Sequence, residues 1–192
     1  MKLDHKYLGT LKTGLHTYAL IRRDVIKHSG DALHHSKRAI FAMHRDNMKE
    51  AATKLKEAEK IFKILHTTHK KNSEIRKEGA YKAGVEEYVE AMVLYQFLTK
   101  GTIGKIAAIP IDPEVYLAGL CDVPGELYRY AVRAATHKDR KTVELCRDMS
   151  EMIVGELIEF NLTSYLRTKF DQAKQAAHKL EIVIYEMSLR ET

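Results

Sequence analysis

The apolar residues of this chain repeat at helical period over almost its whole length, and that most restricts its fold. Leu8, Leu11, Leu15, Ala19 and Ile26 fall on one helical stripe. The period persists through "ALHHSKRAIFAMHR", "DNMKEAATKLKEAEKIFKILHTTH" and "NSEIRKEGAYKAGVEEYVEAMVLYQFLTK". One stretch breaks it. "GTIGKIAAIPIDP" holds two glycines and two prolines and reads as the single long loop, with only "KIAAIPI" as an extended candidate. Helix punctuation divides the rest. Gly30 reads as a stop and Asp31 as the N-cap of a second helix. Asp46 or Asn47 caps a third helix, reaching about His69, and a fourth runs from about Asn72 to Lys100. Pro113 after Asp112 opens the next, reaching about Thr136. "HKDR" then separates it from helices near 140–166 and 168–189. The expected class is all-α. A chain of 192 residues can close a sizeable core as one domain, 1–192.

Composition narrows the function classes. With 45% hydrophobic and 30% charged residues the chain is globular rather than disordered. A formal charge of +6 and a pI near 9.1 admit an anionic partner such as a nucleic acid. Cys121 and Cys146 form no CxxC pair, so a zinc site has little support, and their small number fits a reduced, cytoplasmic setting. The longest apolar run, "AMVLY", is far too short for a bilayer, so a soluble protein without a membrane partner is expected.

Two helices carry anomalies. Ala80, Ala83, Glu87, Glu90, Leu94 and Phe97 share one stripe of the fourth helix, so Glu87 and Glu90 continue an apolar face at the mouth of a buried segment. Buried carboxylates are costly unless paired, hydrogen-bonded or bound to a metal. The plainer alternative is that both turn to solvent or meet a lysine. In "AGLCDVPGELYRY", Asp122 and Glu126 stand four apart with Pro124 between them. Either a helix restarts there with Asp122 as its cap, or one continuous helix tolerates Pro124 and loses the hydrogen bond to the Leu120 carbonyl. Asp122, Glu126, Arg129 and Arg133 then share a face, which a solvated salt-bridge stripe also explains. If the two helices face each other, three or four carboxylates converge, a donor set suited to Mg²⁺ or Mn²⁺. A di-iron centre is excluded, because no Glu-x-x-His occurs. Lys37, Arg38 and Arg45 lie in a basic segment, with His34, His35 and His44, that either tracks a phosphate backbone or faces solvent.

Three segments together resemble one family. "IKHSGDALHHSKRAIFAMHR", "AGVEEYVEAM" and "YLAGLCDVPGELYRYAV" match, in order and spacing, the translin superfamily, and most of all its translin-associated factor X branch. The resemblance spans nearly the whole chain, and the last two motifs are specific when they occur together. It implies an all-α fold of about seven helices, assembled into a hollow octameric barrel with RNA bound inside. For the factor X branch it also implies a Mg²⁺-dependent endoribonuclease acting mainly on single-stranded RNA, with duplex RNA as a further substrate class and Mn²⁺ as a substitute cation. Position by position, the catalytic carboxylates fall on Glu87, Glu90 and Asp122, while Glu126 and Arg129 belong to the adjoining Gly-Glu-Leu-x-Arg. The expected metal set is Glu87, Glu90, Asp122 and Glu126, and the expected nucleic-acid contacts are Lys37, Arg38, Arg45 and Arg129. Translin itself implies the alternative, a non-catalytic RNA- or DNA-binding protein.

The chain departs from the family pattern in three places. Pro124 stands where threonine is usual, the 101–112 loop is short, and the first helix begins almost at once. The last two features suggest a compact prokaryotic form that assembles with itself.

Overall fold

A computed structural model of the chain describes residues 2–70 and 73–190. Among these, six α-helices and no strand are found: α1 (His5–Met43), α2 (Met48–Thr68), α3 (Gly79–Lys100), α4 (Pro113–Thr136), α5 (Arg140–Ile158) and α6 (Ser164–Leu189), with a 3₁₀ turn at Ser73–Lys77 before α3. α1 packs on α2 and α3, α4 packs on α5 and α6, and the α3–α4 contact joins the two groups. The all-α expectation holds.

The helix count differs from the expected seven because Gly30 does not stop α1. Val25, Ser29, Ala32, Ser36, Ala39, Ile40 and Met43 are all buried at helical spacing, so one core-facing stripe runs straight through the glycine. A mid-helix glycine costs only about 1 kcal/mol relative to alanine, and the burial of that stripe outweighs it. Asp31 is therefore exposed mid-helix rather than an N-cap. Asn47 does cap α2, accepting from the Glu50 N–H at 3.1 Å.

The expected start of the fourth helix at Asn72 lies outside the described residues, and α3 itself begins at Gly79 after an extended Glu78. α5 ends at Ile158 instead of continuing to 166. Its last buried residue is Leu157, and residues 158–161 beyond it are all exposed, Ile158 and Phe160 included, so no buried stripe carries the helix further. The 101–112 loop contains no strand, although Ile106 and Ile109 are buried in it. At Pro124 the continuous reading is correct: the residue lies buried inside α4, where its ring denies a donor to the Leu120 carbonyl.

Two devices set the site. Phe62 of α2 is fully buried between Tyr81 and Tyr88 of α3, with edge-on ring centroids at 5.7 and 5.8 Å, which fixes the rotation of α3. At the α3–α4 crossing the backbones come unusually close. A Cβ at Gly119 would lie 2.6 Å from the Glu86 carbonyl and 2.8 Å from the Val89 Cβ. Only glycine permits this approach, and it falls beside Glu86, Glu87 and Glu90 and one turn before Asp122.

Candidate carboxylate site

α3 presents Glu86, Glu87 and Glu90 toward α4, which presents Asp122 and Glu126. The pattern follows from helix register: Glu87, Glu90 and Leu94 continue the stripe that buries Val93, Leu94 and Phe97. Glu90 is 8% exposed and makes no hydrogen bond or ion pair with any described residue. Burial, reinforced by the charges of Asp122, Glu87 and Glu126, pushes its carboxyl up to about 9, and Lys169 offsets only part of this. Burial likewise raises Glu87 above the usual carboxylate range, opposed by Lys37 of α1, whose Nζ lies 3.9 Å from Oε2. Asp122 is raised too, by burial, despite its hydrogen bond from Lys169. These mutual effects place the four expected carboxylates in one electrostatic cluster.

Three of the four have a basic partner of their own. Lys169 Nζ of α6 bonds Asp122 Oδ2, and His44 Nε2, at the C-cap just past α1, bonds Glu126 Oε2. Arg129 Nη1 stands 3.8 Å from the same Glu126 oxygen, and Lys37 faces Glu87. Glu90 is left alone between them. In this arrangement no three His, Cys, Asp or Glu side chains among the described residues are gathered closely enough to hold a metal ion. The donor chemistry nevertheless fits one: the set is all hard carboxylate oxygen, and its central member is buried without a counter-charge. Enclosing an ion requires side-chain movement that brings their oxygens closer together.

The basic residues divide. Lys37 and Arg129 reach the rim of the carboxylate cluster. Arg38 and Arg45 instead converge on Glu50 of α2, each at 3.5 Å, and the Arg45 guanidinium lies over the Phe41 ring at 4.5 Å. Arg133 leaves the acidic face of α4. It donates to the His44 carbonyl at 2.6 Å and pairs with Asp46, which also accepts from Tyr130 OH at 3.0 Å. Sequence spacing missed Glu86, Lys169 and Tyr165. Lys169 Nζ is 2.7 Å from Glu86 Oε1, and Tyr165 OH donates to the same oxygen at 2.8 Å. Lys169 lies 47 residues from Asp122, a separation no local pattern reveals. His44 was visible only as part of a basic run.

Comparison with known proteins bears on this geometry. The family model described as the Translin family matches residues 20–191. This chain belongs to the Translin family. A Translin-associated protein X homolog of Schizosaccharomyces pombe (strain 972 / ATCC 24843) is 24% identical over 192 residues, covering 88% of this chain and 82% of that protein. Among solved structures, AfC3PO aligns with a TM-score of 0.88 at 23% identity, over 96% of this chain and 98% of its own. Apo-NeC3PO aligns at 0.85 and 23%, over 97% and 99%. An AfC3PO complex with duplex RNA aligns at 0.85 and 22%, over 96% and 97%. At these identities the structural likeness establishes the translin-type fold. No helix among the described residues is long and apolar enough to cross a membrane.

Proposed function

We propose that this Translin-family chain is a divalent-cation-dependent endoribonuclease that cleaves RNA, chiefly single-stranded, within an assembly of its own copies. One observation carries the reading: Glu90 is buried and unpartnered at the centre of carboxylates contributed by two facing helices. Glu87, Glu90, Asp122 and Glu126 would hold Mg²⁺, with Mn²⁺ as a substitute. When bound, the cation supplies positive charge for the phosphoryl oxygens and acidifies a water of its shell. Lys37 and Arg129 have side chains 61% and 54% exposed at the rim, where the phosphates of an incoming strand are met. Of the two α3 carboxylates in that set, Glu87 is the more open, with a side chain 19% exposed, and would accept the proton of an attacking water.

The first half of α1 supports self-assembly. Every residue from His5 to Leu20 is exposed, and Leu8, Leu11 and Leu15 form an apolar stripe on it. A helix of this length extends about 24 Å and gains little stability without a partner. An octamer is the form that the family resemblance favours.

A second reading, RNA binding without cleavage, is favoured by the pairing of Asp122 with Lys169 and of Glu126 with His44, with no closed metal cage among the described residues. Incubation of fluorescent single-stranded and duplex RNA with the protein in Mg²⁺, Mn²⁺ or EDTA separates the two. Metal-dependent cleavage that Glu90→Gln and Asp122→Asn abolish, with RNA retention equal or tighter, supports the nuclease. Retention without cleavage supports the second reading. Full cleavage in both variants would end the metal-site assignment.

A further inference from the structure

Glu86 and Lys169 lie outside the carboxylate set already assigned, yet they touch it. Lys169 reaches in from α6 with its side chain only 12% exposed, bridging Glu86 Oε1 of α3 and Asp122 Oδ2 of α4. Asp122 Oδ1 accepts no hydrogen bond from a described residue. We propose that Lys169 is a positioning residue: its ammonium, neutralised by Glu86, fixes the Asp122 carboxylate through one oxygen and leaves the other available to the divalent cation that Asp122 and Glu90 would hold. The inference rests on the metal-site reading above.

The geometry separates this role from direct contact with RNA. An ammonium has three donor directions. Two are spent on Glu86 and Asp122, and the Tyr165 ring centroid lies 5.4 Å from Nζ. Few donors remain for a phosphate, and the low exposure keeps a strand away. Glu86 is itself anchored by Tyr165 OH, so the bridge is fixed at both ends. Glu86 and Lys169 together carry no net charge. Lys169 therefore gives Asp122 direction without adding a net positive charge that would repel a metal ion. Groups that orient a ligand in this way are worth about 10- to 100-fold in metal affinity.

The test measures Mn²⁺ binding by electron paramagnetic resonance, with no RNA present, in wild type and in Lys169→Met, Lys169→Arg, Glu86→Gln and Asp122→Asn. Thermal melts accompany each protein. Lys169→Met is expected to weaken Mn²⁺ binding about 10- to 100-fold, and Lys169→Arg, whose guanidinium can still bridge both carboxylates, to recover most of the loss. Glu86→Gln removes the charge that offsets the ammonium beside Asp122, so Mn²⁺ binding weakens relative to wild type, and the difference is largest at low salt. A purely structural lysine would shift the melts without this salt pattern. A folded Lys169→Met protein that binds Mn²⁺ as tightly as wild type overturns the proposal. If Lys169→Met does not fold, unchanged and salt-independent affinity in Glu86→Gln overturns it. Should Asp122→Asn lose Mn²⁺ while the Lys169 and Glu86 variants do not, only the positioning role fails. Should wild type bind no Mn²⁺, the metal site and the positioning role fail together.

Discussion

Replacing Glu90 with glutamine tests the centre of the site through stability, independently of any cleavage assay. In the folded chain Glu90 is 8% exposed and unpartnered, and its carboxyl is pushed up to about 9. In the unfolded chain it titrates near the ordinary value of 4.5. Below that value both states keep the proton and the group contributes no difference. As pH rises, the unfolded state releases its proton first, so it binds fewer protons and stability falls across the window from 4.5 to about 9. pH 7 lies about 2.5 pH units into that window, and at 1.36 kcal/mol each the retained proton costs about 3 kcal/mol. Glutamine is close in shape to the protonated acid and carries no such cost. In EDTA, Glu90→Gln is therefore expected to be more stable than wild type at pH 7 by up to about 3 kcal/mol, or roughly 6–12 °C in Tm. The gain should vanish at pH 4. Urea titrations at fixed protein concentration and both pH values measure it. A variant less stable than wild type at pH 7, or one whose stability difference does not change with pH, would refute the picture of an uncompensated carboxyl.

Mn²⁺ affinity should rise with pH between 6 and 9, because the cation displaces the proton that Glu90 retains; calorimetry in buffers of different ionisation enthalpy should detect the released proton. Lys37→Ala combined with Arg129→Ala should weaken RNA binding and reduce its salt slope by up to about two, as read by fluorescence anisotropy. Gly119→Ala should lower stability by about 1–3 kcal/mol through overpacking and lower cleavage with it, because its Cβ meets the Glu86 carbonyl. Gly125→Ala, exposed with nothing within 4 Å of its Cβ, should leave the melt unchanged or raise it. Light scattering at micromolar concentration should give a multiple of 22.0 kDa, and the monomer mass would refute the assembly.

Much of this fold was legible because helices announce themselves locally. The period of the apolar stripe, Asn47 as a cap, Pro113 at a first turn and the glycine-proline loop all lie within a few residues of what they determine. Gly30 misled because local punctuation competes with tertiary burial. Its position between the buried Ser29 and Ala32 turns is unremarkable until the packing of α2 and α3 on α1 is known. The carboxylates on α3 and α4 were visible by spacing and family resemblance, since each pair lies on one helix. The side chains that answer them were not. His44 and Glu126 are 82 residues apart, and Glu86 is joined to Tyr165 across 79, so only the folded arrangement brings them together.

That distribution of basic side chains bears on the choice between cleavage and binding alone. A protein built only to hold RNA gains from positive charge along its surface, and Lys37 and Arg129 supply it. It gains nothing from Glu90. A buried carboxyl beside three other acidic groups repels phosphate when ionised and costs stability when protonated. RNA cannot relieve either condition, because its backbone brings more negative charge. Lys169 is committed to Asp122 and Glu86, and His44 to Glu126. A small cation is the remaining species that would remove the cost, and the same cation would screen the carboxylates from an arriving phosphate. Binding of metal and binding of RNA are then expected to be cooperative at this site: Mn²⁺ should tighten RNA in a wild-type protein slowed by low temperature, and should leave its affinity unchanged in Glu90→Gln. Equal tightening in both proteins would mean that the cation acts on the RNA rather than on the carboxylates.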